Sequence, residues 1–116
     1  GEATRWQNSE ETTLRDIRYQ TQAESGAVWD IDAAAGIFYE DINELELKNG
    51  VTVLELTRDT TIQTGSMRLY MDQKRAQGEQ EVVTTGRGSR TTGSAFELDL
   101  QSSMATLKGD VRTEYE

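Results

Sequence analysis

Apolar and polar residues alternate along most of this chain. Trp29, Ile31, Ala33 and Ala35 alternate with Asp30, Asp32 and Ala34, and Leu45 and Leu47 with Glu44, Glu46 and Lys48. Val51 and Val53 flank Thr52, and Met67, Leu69 and Met71 are spaced by Arg68 and Tyr70. Phe96, Leu98 and Leu100 alternate with Glu97 and Asp99, and Val111, Thr113 and Tyr115 with Arg112 and Glu114. A period of two places one face of a strand in a core and the other in water. The spacing therefore predicts an all-β domain. Between Val53 and Leu54 two apolar residues are adjacent, so a bulge or twist is expected there. Only Arg68 to Gln77 offers a helix candidate, and its apolar spacing suits a strand better.

Glycine punctuates these segments. Asn49-Gly50 separates Glu44–Lys48 from Val51–Leu56, a strong hairpin signal. Lys108-Gly109-Asp110 stands between Met104–Leu107 and Val111–Tyr115, and Gln77-Gly78-Glu79 is a third turn candidate. The spacing recurs. Gly36, Gly65 and Gly93 step by 29 and 28 residues, and Gly50, Gly78 and Gly109 by 28 and 31. A repeat near this length with no helix inside it predicts stacked β-layers that share one apolar stripe.

Composition narrows the chemistry. At 116 residues the chain is one domain's worth, read as a single unit over 1–116. Its apolar fraction of 34% raises the question of disorder, which the alternation answers. There is no Cys and no His, which excludes thiolate and imidazole metal sites, a Ser-His-Asp triad and disulfides. Pro is also absent, so turns fall to Gly, Asn and Asp. A net charge of −9 argues against nucleic acid and against a polybasic membrane surface.

The remaining polar signals are modest. Asp30 with Asp32, Glu44 with Glu46, and Glu97 with Asp99 each share a strand face, which reads as a solvated face rather than acid–base or Ca²⁺ chemistry. Gly86-x-Gly88 beside Arg87 and Arg90 suggests an anion nest able to meet phosphates. It lacks the strand–glycine loop–helix context of a nucleotide site. No cofactor or metal is expected, and no enzyme activity.

Taken together, several segments resemble the LptC family, the periplasmic bridge component of bacterial lipopolysaccharide export. They are the opening Trp29-x-Ile31-x-Ala33…Gly36, then Leu45-x-Leu47…Gly50-Val51-x-Val53, and the Thr-Thr-Gly-Ser…Leu-x-Leu segment from Thr91. The ending, Leu107 to Glu116, is LKGDVRTEYE. The resemblance spans residues 3–116. It implies an OstA-like β-jellyroll, an open V-shaped trough of antiparallel strands. It also implies a periplasmic location, normally with an N-terminal membrane helix and further strand ahead of this chain. On that reading Arg5 and Trp6 belong to an incomplete first strand.

Such a trough implies a lipid-binding interior. The residues expected to line it are Trp29, Ile31, Phe38, Leu45, Leu47, Val51, Val53, Met67, Leu69, Met71, Phe96, Leu98 and Val111, with Ala105 and Tyr115 toward the C-terminal strands. Each methylene buried there contributes about 0.8 kcal/mol, and the methionines adapt to heterogeneous chains. The bland alternative is an ordinary sandwich core. Partner contact is expected at Gly86, Val111, Arg112, Thr113, Glu114 and Tyr115. A Pro-free end strand invites pairing with another strand, and the charges at Arg112, Glu114 and Glu116 either blunt that edge or set partner choice. The expected function is a non-catalytic bridge. It takes lipopolysaccharide acyl chains from an inner-membrane ABC transporter and passes them to a homologous periplasmic protein. Another OstA-like bridge component and a carbohydrate- or adhesin-type β-sandwich remain as alternatives.

Overall fold

The computed structural model describes residues 11–115. Arg5, Trp6 and Glu116 lie outside the described residues. Three long strands come first: β1 (Glu11–Gln22), β2 (Val28–Tyr39) and β3 (Glu44–Glu55). Eight short ones follow: β4 (Thr60–Thr64), β5 (Met67–Tyr70), β6 (Arg75–Gly78), β7 (Val82–Gly86), β8 (Ser89–Gly93), β9 (Ala95–Asp99), β10 (Met104–Lys108) and β11 (Arg112–Tyr115). All pairings among them are antiparallel, and there is no helix among the described residues. The result is an open, strongly curled sheet, a half-barrel of the β-jellyroll trough type.

The short strands are halves of long ones. Residues 44–47 of β3 pair with β5, and residues 51–55 pair with β4. Beyond β3 the sheet forks. One wall continues β5–β6–β9–β10 and the other β4–β7–β8–β11. The chain crosses from one wall to the other at Gly65-Ser66, at 79–81, at Ser94 and at 109–111. These breaks form the bend of the V. Its long dimension is 59 Å against 30 and 22 Å across, an elongated rather than spherical body.

This corrects the turn assignments made from glycine. Asn49-Gly50 is not a hairpin turn but lies inside β3. The register slips there, with Ala33 opposite Val51 and Ala35 opposite Lys48, so the bulge falls here and not at Val53/Leu54. Both residues have left-handed φ (62° and 99°), which Asn and Gly adopt at least cost. Gly78 ends β6 and Gly109 lies in the break between β10 and β11. The true turns are 40–43, 56–59, 71–74 and 100–103, each ending on a left-handed residue (Asn43, Asp59, Lys74, Ser103), together with 23–27 and 87–88. The period near thirty therefore counts two strands, one hairpin, per repeat.

Between the walls lies one apolar cluster. It joins Leu45, Leu47, Met67, Leu69, Phe96 and Leu98 of the first wall to Trp29, Ile31, Val51, Val53, Ile62 and Val82 of the second. Each large member contributes about 1.5–3 kcal/mol by leaving water. Glu55 holds the inward position that follows Val51 and Val53, whereas Leu54 is half-buried and Leu56 exposed. The Glu55 carboxylate accepts the backbone N–H groups of Thr57 and Arg58 at 2.9 and 3.0 Å. A buried charge is thereby satisfied by the 56–59 turn.

Candidate functional site

The register arranges the inward residues into rows that cross the sheet. In the first wall one row runs Phe38, Leu45, Leu69, Ala76, Leu98, Ala105. In the second a row runs Tyr19, Ile31, Val53, Ile62, Thr84, Thr91, Thr113. A further row there runs Trp29, Glu55, Thr60, Gly86, Ser89, Tyr115. Each begins toward the N-terminal strands and ends at β10 or β11.

Along these rows burial collapses near the end. Leu98 is 1% exposed, while Ala105, its partner one strand on, is exposed. Ten of the expected lining residues are buried in the core: Trp29, Ile31, Leu45, Leu47, Val51, Val53, Met67, Leu69, Phe96 and Leu98. Phe38 and Met71 are half-buried against that core. Ala105, Val111 and Tyr115 lie open to solvent, Tyr115 at 80%. The trough is thus filled by its own side chains along most of its length and uncovered at its C-terminal end.

One corner of the filled part is strapped. The turn between β1 and β2 reaches the turn between β9 and β10, where the Glu24 N–H donates to Gln101 Oε1 at 3.4 Å. Ala23, Ala27, Leu100 and Ser103 are buried around it. Trp29 Nε1 beneath has no hydrogen-bond partner among the described residues.

The C-terminal strands are sheet edges. Among the described residues β10 pairs with β9 alone and β11 with β8 alone. Arg112, Thr113, Glu114 and Tyr115 are all exposed, as expected for a strand offering an unpaired side. Thr113 is tied back by a 3.0 Å bond between its hydroxyl and that of Thr91. Gly86 faces Thr60 across the second wall, and a Cβ there would stand 3.3 Å from Thr60 Oγ1, close enough that Thr60 would have to shift. At the opposite edge β1 pairs only with β2 among the described residues.

These observations fit one family, and the comparison with known families decides it. The family described as "Lipopolysaccharide-assembly, LptC-related" matches residues 2–116. The chain belongs to the LptC family. No curated protein matches it closely enough to add a relative. LptC proteins are periplasmic bridge components of lipopolysaccharide transport, so this chain has a role in that transport. No helix among its described residues is long and apolar enough to cross a membrane.

The outer face of this LptC domain carries the paired carboxylates. Arg68 Nη1 donates to Glu44 at 2.9 Å, and its Nη2 lies 3.8 Å from Glu46. Its guanidinium also stacks 5.1 Å from the centre of the Tyr39 ring, a cation–π geometry. Tyr39 in turn donates to Glu46 at 3.1 Å. Burial, then that hydrogen bond, raises the Tyr39 pKa above its ordinary value. For Arg68 burial opposes the charge, but the bond to Glu44 and the charges of Glu46 and Glu44 outweigh it, and its pKa is raised. Lys108 Nζ donates to Glu97 at 2.7 Å, and that bond and charge hold the Glu97 carboxyl below its usual range. Arg18 pairs with Asp32 at 3.1 Å. No group of three or more acidic residues among the described residues is placed to hold a metal.

Sequence reasoning missed three features: the buried Glu55, the Arg68 cluster and the left-handed Lys74 and Ser103. Glu55 had a signal, since it sits in phase with Val51 and Val53. The anion nest takes another form. Arg87 (φ 22°) and Gly88 (φ 82°) make the two-residue turn of the β7–β8 hairpin, closed by Ser89 Oγ donating to Gly86 O at 3.2 Å. Arg90 pairs with Thr85 and Glu114 on the other face.

Proposed function

We propose that this LptC domain is a non-catalytic bridge that takes lipopolysaccharide acyl chains at its C-terminal end and passes them to a homologous jellyroll joined there. The supporting observation is the row from Leu69 through Ala76 and Leu98 to Ala105. It is continuous by register and passes from core to solvent in a single strand step. An apolar interior that becomes accessible only beside two unpaired edge strands suits cargo leaving along the sheet. A second jellyroll adding its edge to β10 and β11 would cover the open end and prolong the row. The donor at the other end is an inner-membrane ABC transporter.

Acyl chains also explain why the core must be able to rearrange. Ten of the lining side chains are closed to solvent. Chains enter among them only as the two walls separate, replacing side-chain contacts by lipid contacts of similar apolar area. Met67 and Met71 help such exchange.

A photo-crosslinking amino acid at Phe96, Ala105 or Tyr115, in cells, tests this. Ala105 and Tyr115 are expected to give adducts with lipopolysaccharide and with the partner protein, and Phe96 with lipopolysaccharide alone. Absence of lipid adducts from all three positions overturns the reading.

A further inference from the structure

The chemistry of the inner face changes along the second wall. Its central row is apolar through Ile31, Val53 and Ile62, then turns to hydroxyls at Thr84, Thr91 and Thr113. The adjoining row holds Thr60, Gly86 and Ser89 beside them, between Glu55 and Tyr115. An acyl chain can use the threonine methyls but gains nothing from their hydroxyls. Side chains of this kind at the end of a lipid trough fit something polar.

Thr60, Thr84, Gly86, Ser89 and Thr91 line an open hollow of about 380 Å³ near the Arg87–Gly88 turn, together with Arg58 and Arg87. Thr84 lines it, and Thr84 Oγ1 is shut from solvent with no hydrogen-bond partner among the described residues. A buried hydroxyl without a partner is costly unless something supplies one. Among the described residues no carboxylate lines the hollow, although the chain carries a net charge of −9. Asp59 follows Arg58 in the chain, and Glu55 lies 3.9 Å from the Arg58 guanidinium with its oxygens already accepting two backbone N–H groups. Arg87 makes no ion pair among the described residues. Gly86 leaves the floor open where a side chain would intrude.

We propose that this hollow binds the phosphate-bearing headgroup of the transported glycolipid. Arginine offers a fork of N–H donors matched to phosphate oxygens, and threonine hydroxyls can donate to the same oxygens or to sugar hydroxyls. The hollow continues the apolar rows, so a molecule with acyl chains among Ile31, Val53 and Ile62 places its headgroup beside Arg87. This assignment rests on the bridge reading above and adds to it a headgroup contact. It explains why the wall ceases to be apolar before it ends.

The test uses the full chain and three probes. They are a bis-phosphorylated acylated glucosamine disaccharide in detergent micelles, the same lipid without phosphates, and inorganic phosphate. The phosphorylated lipid is expected to bind roughly ten-fold tighter than the dephosphorylated one, the size of one hydrogen bond to a charged group. Arg87→Gln should abolish that preference while leaving binding of the dephosphorylated lipid unchanged. Thr84→Val should weaken the phosphorylated lipid yet raise the melting temperature of the free protein, because it removes a hydroxyl that has no partner. A merely structural threonine would not separate the two readouts. Equal affinity for both lipids, or an Arg87→Gln protein that keeps the preference, overturns the headgroup site and leaves the bridge reading standing. Inorganic phosphate that binds as tightly as the phosphorylated lipid also overturns the assignment, making this a free-phosphate site. Failure of both lipids to bind overturns the bridge reading with it.

Discussion

Gly78 and Phe96 face each other across the β6–β9 pairing, and the Phe96 ring occupies the space a side chain at 78 would need. A Cβ there would collide with the edge of the ring and stand 3.0 Å from the Ser66 carbonyl oxygen. The ring is 1% exposed and packed at the bend of the V, so it has nowhere to retreat. Gly78→Ala should therefore destabilise the domain by about 1–3 kcal/mol, as overpacking does. Thermal unfolding measures it. A melting temperature equal to that of the parent protein would show that the bend is looser than the packing implies.

A second prediction concerns Glu55. Its carboxylate is 2% exposed and accepts two N–H groups from the turn that follows. Glu55→Gln keeps shape and one acceptor oxygen but loses the charge that strengthens both bonds. The expected cost is about 1 kcal/mol. Amide exchange at Thr57 and Arg58 should quicken more than exchange in β3. Uniform quickening across the sheet would mean that Glu55 supports the core rather than the turn.

The alternation of Phe96 with Glu97 and Leu98 with Asp99 made these strands legible, because a half-buried strand leaves that trace. The glycines were legible as irregularities but not as to kind. Asn49-Gly50 has the chemistry of a hairpin turn, and a bulge inside a continuous strand demands the same left-handed φ. Only the partner strand separates the two cases. Lys74 left no signal, since its backbone is set by the turn it closes and not by its side chain. The exposure of Ala105 and Tyr115 was equally illegible. Their alternation is that of a covered strand, but β10 and β11 are the last strands of their walls, with no further strand beyond them among the described residues.

The free edge carries a third prediction. Along a strand successive N–H groups point to opposite sides, so of Thr113 and Glu114 one donates toward β8 and the other toward the open edge. Thr113→Pro and Glu114→Pro therefore differ. One removes only the outward donor and should keep the fold while abolishing capture of the homologous protein in size-exclusion runs. The other should fray β11 from β8. Capture at parental levels by both variants, each folded, would mean that joining does not use this edge.

The Glu97–Lys108 bond gives a pH dependence at the neighbouring edge. It holds the Glu97 carboxyl below its ordinary range, first through the hydrogen bond from Lys108 and then through its charge. A depressed carboxyl contributes stability that is complete above the unfolded-state pKa, about 4.3 for glutamate, and is lost as pH falls through the lower folded value. β10 should accordingly loosen from β9 under acid conditions. In an NMR titration Lys108→Met should move the Glu97 midpoint upward, toward the ordinary range. An unmoved midpoint would assign the depression to something other than Lys108.

The last prediction follows from a filled trough. Phe96 and Leu98 are closed to solvent, so lipid reaches them only when the walls part. The strap between the β1–β2 and β9–β10 turns, where the Glu24 N–H meets Gln101, bridges two segments 77 residues apart in the chain. Holding that corner shut should block entry without touching any lining side chain. The chain has no native Cys, so Glu24→Cys with Gln101→Cys can be bridged selectively by a short bis-maleimide. The bridged protein should keep its sheet by circular dichroism, lose lipid adducts at Phe96, and recover them when the bridge is made cleavable and cut. Its adducts with the partner at Tyr115 should persist, because β11 lies outside the strap. If bridged protein still yields lipid adducts at Phe96, the chains enter by parting the walls elsewhere, and the strap is a staple of the fold rather than a gate.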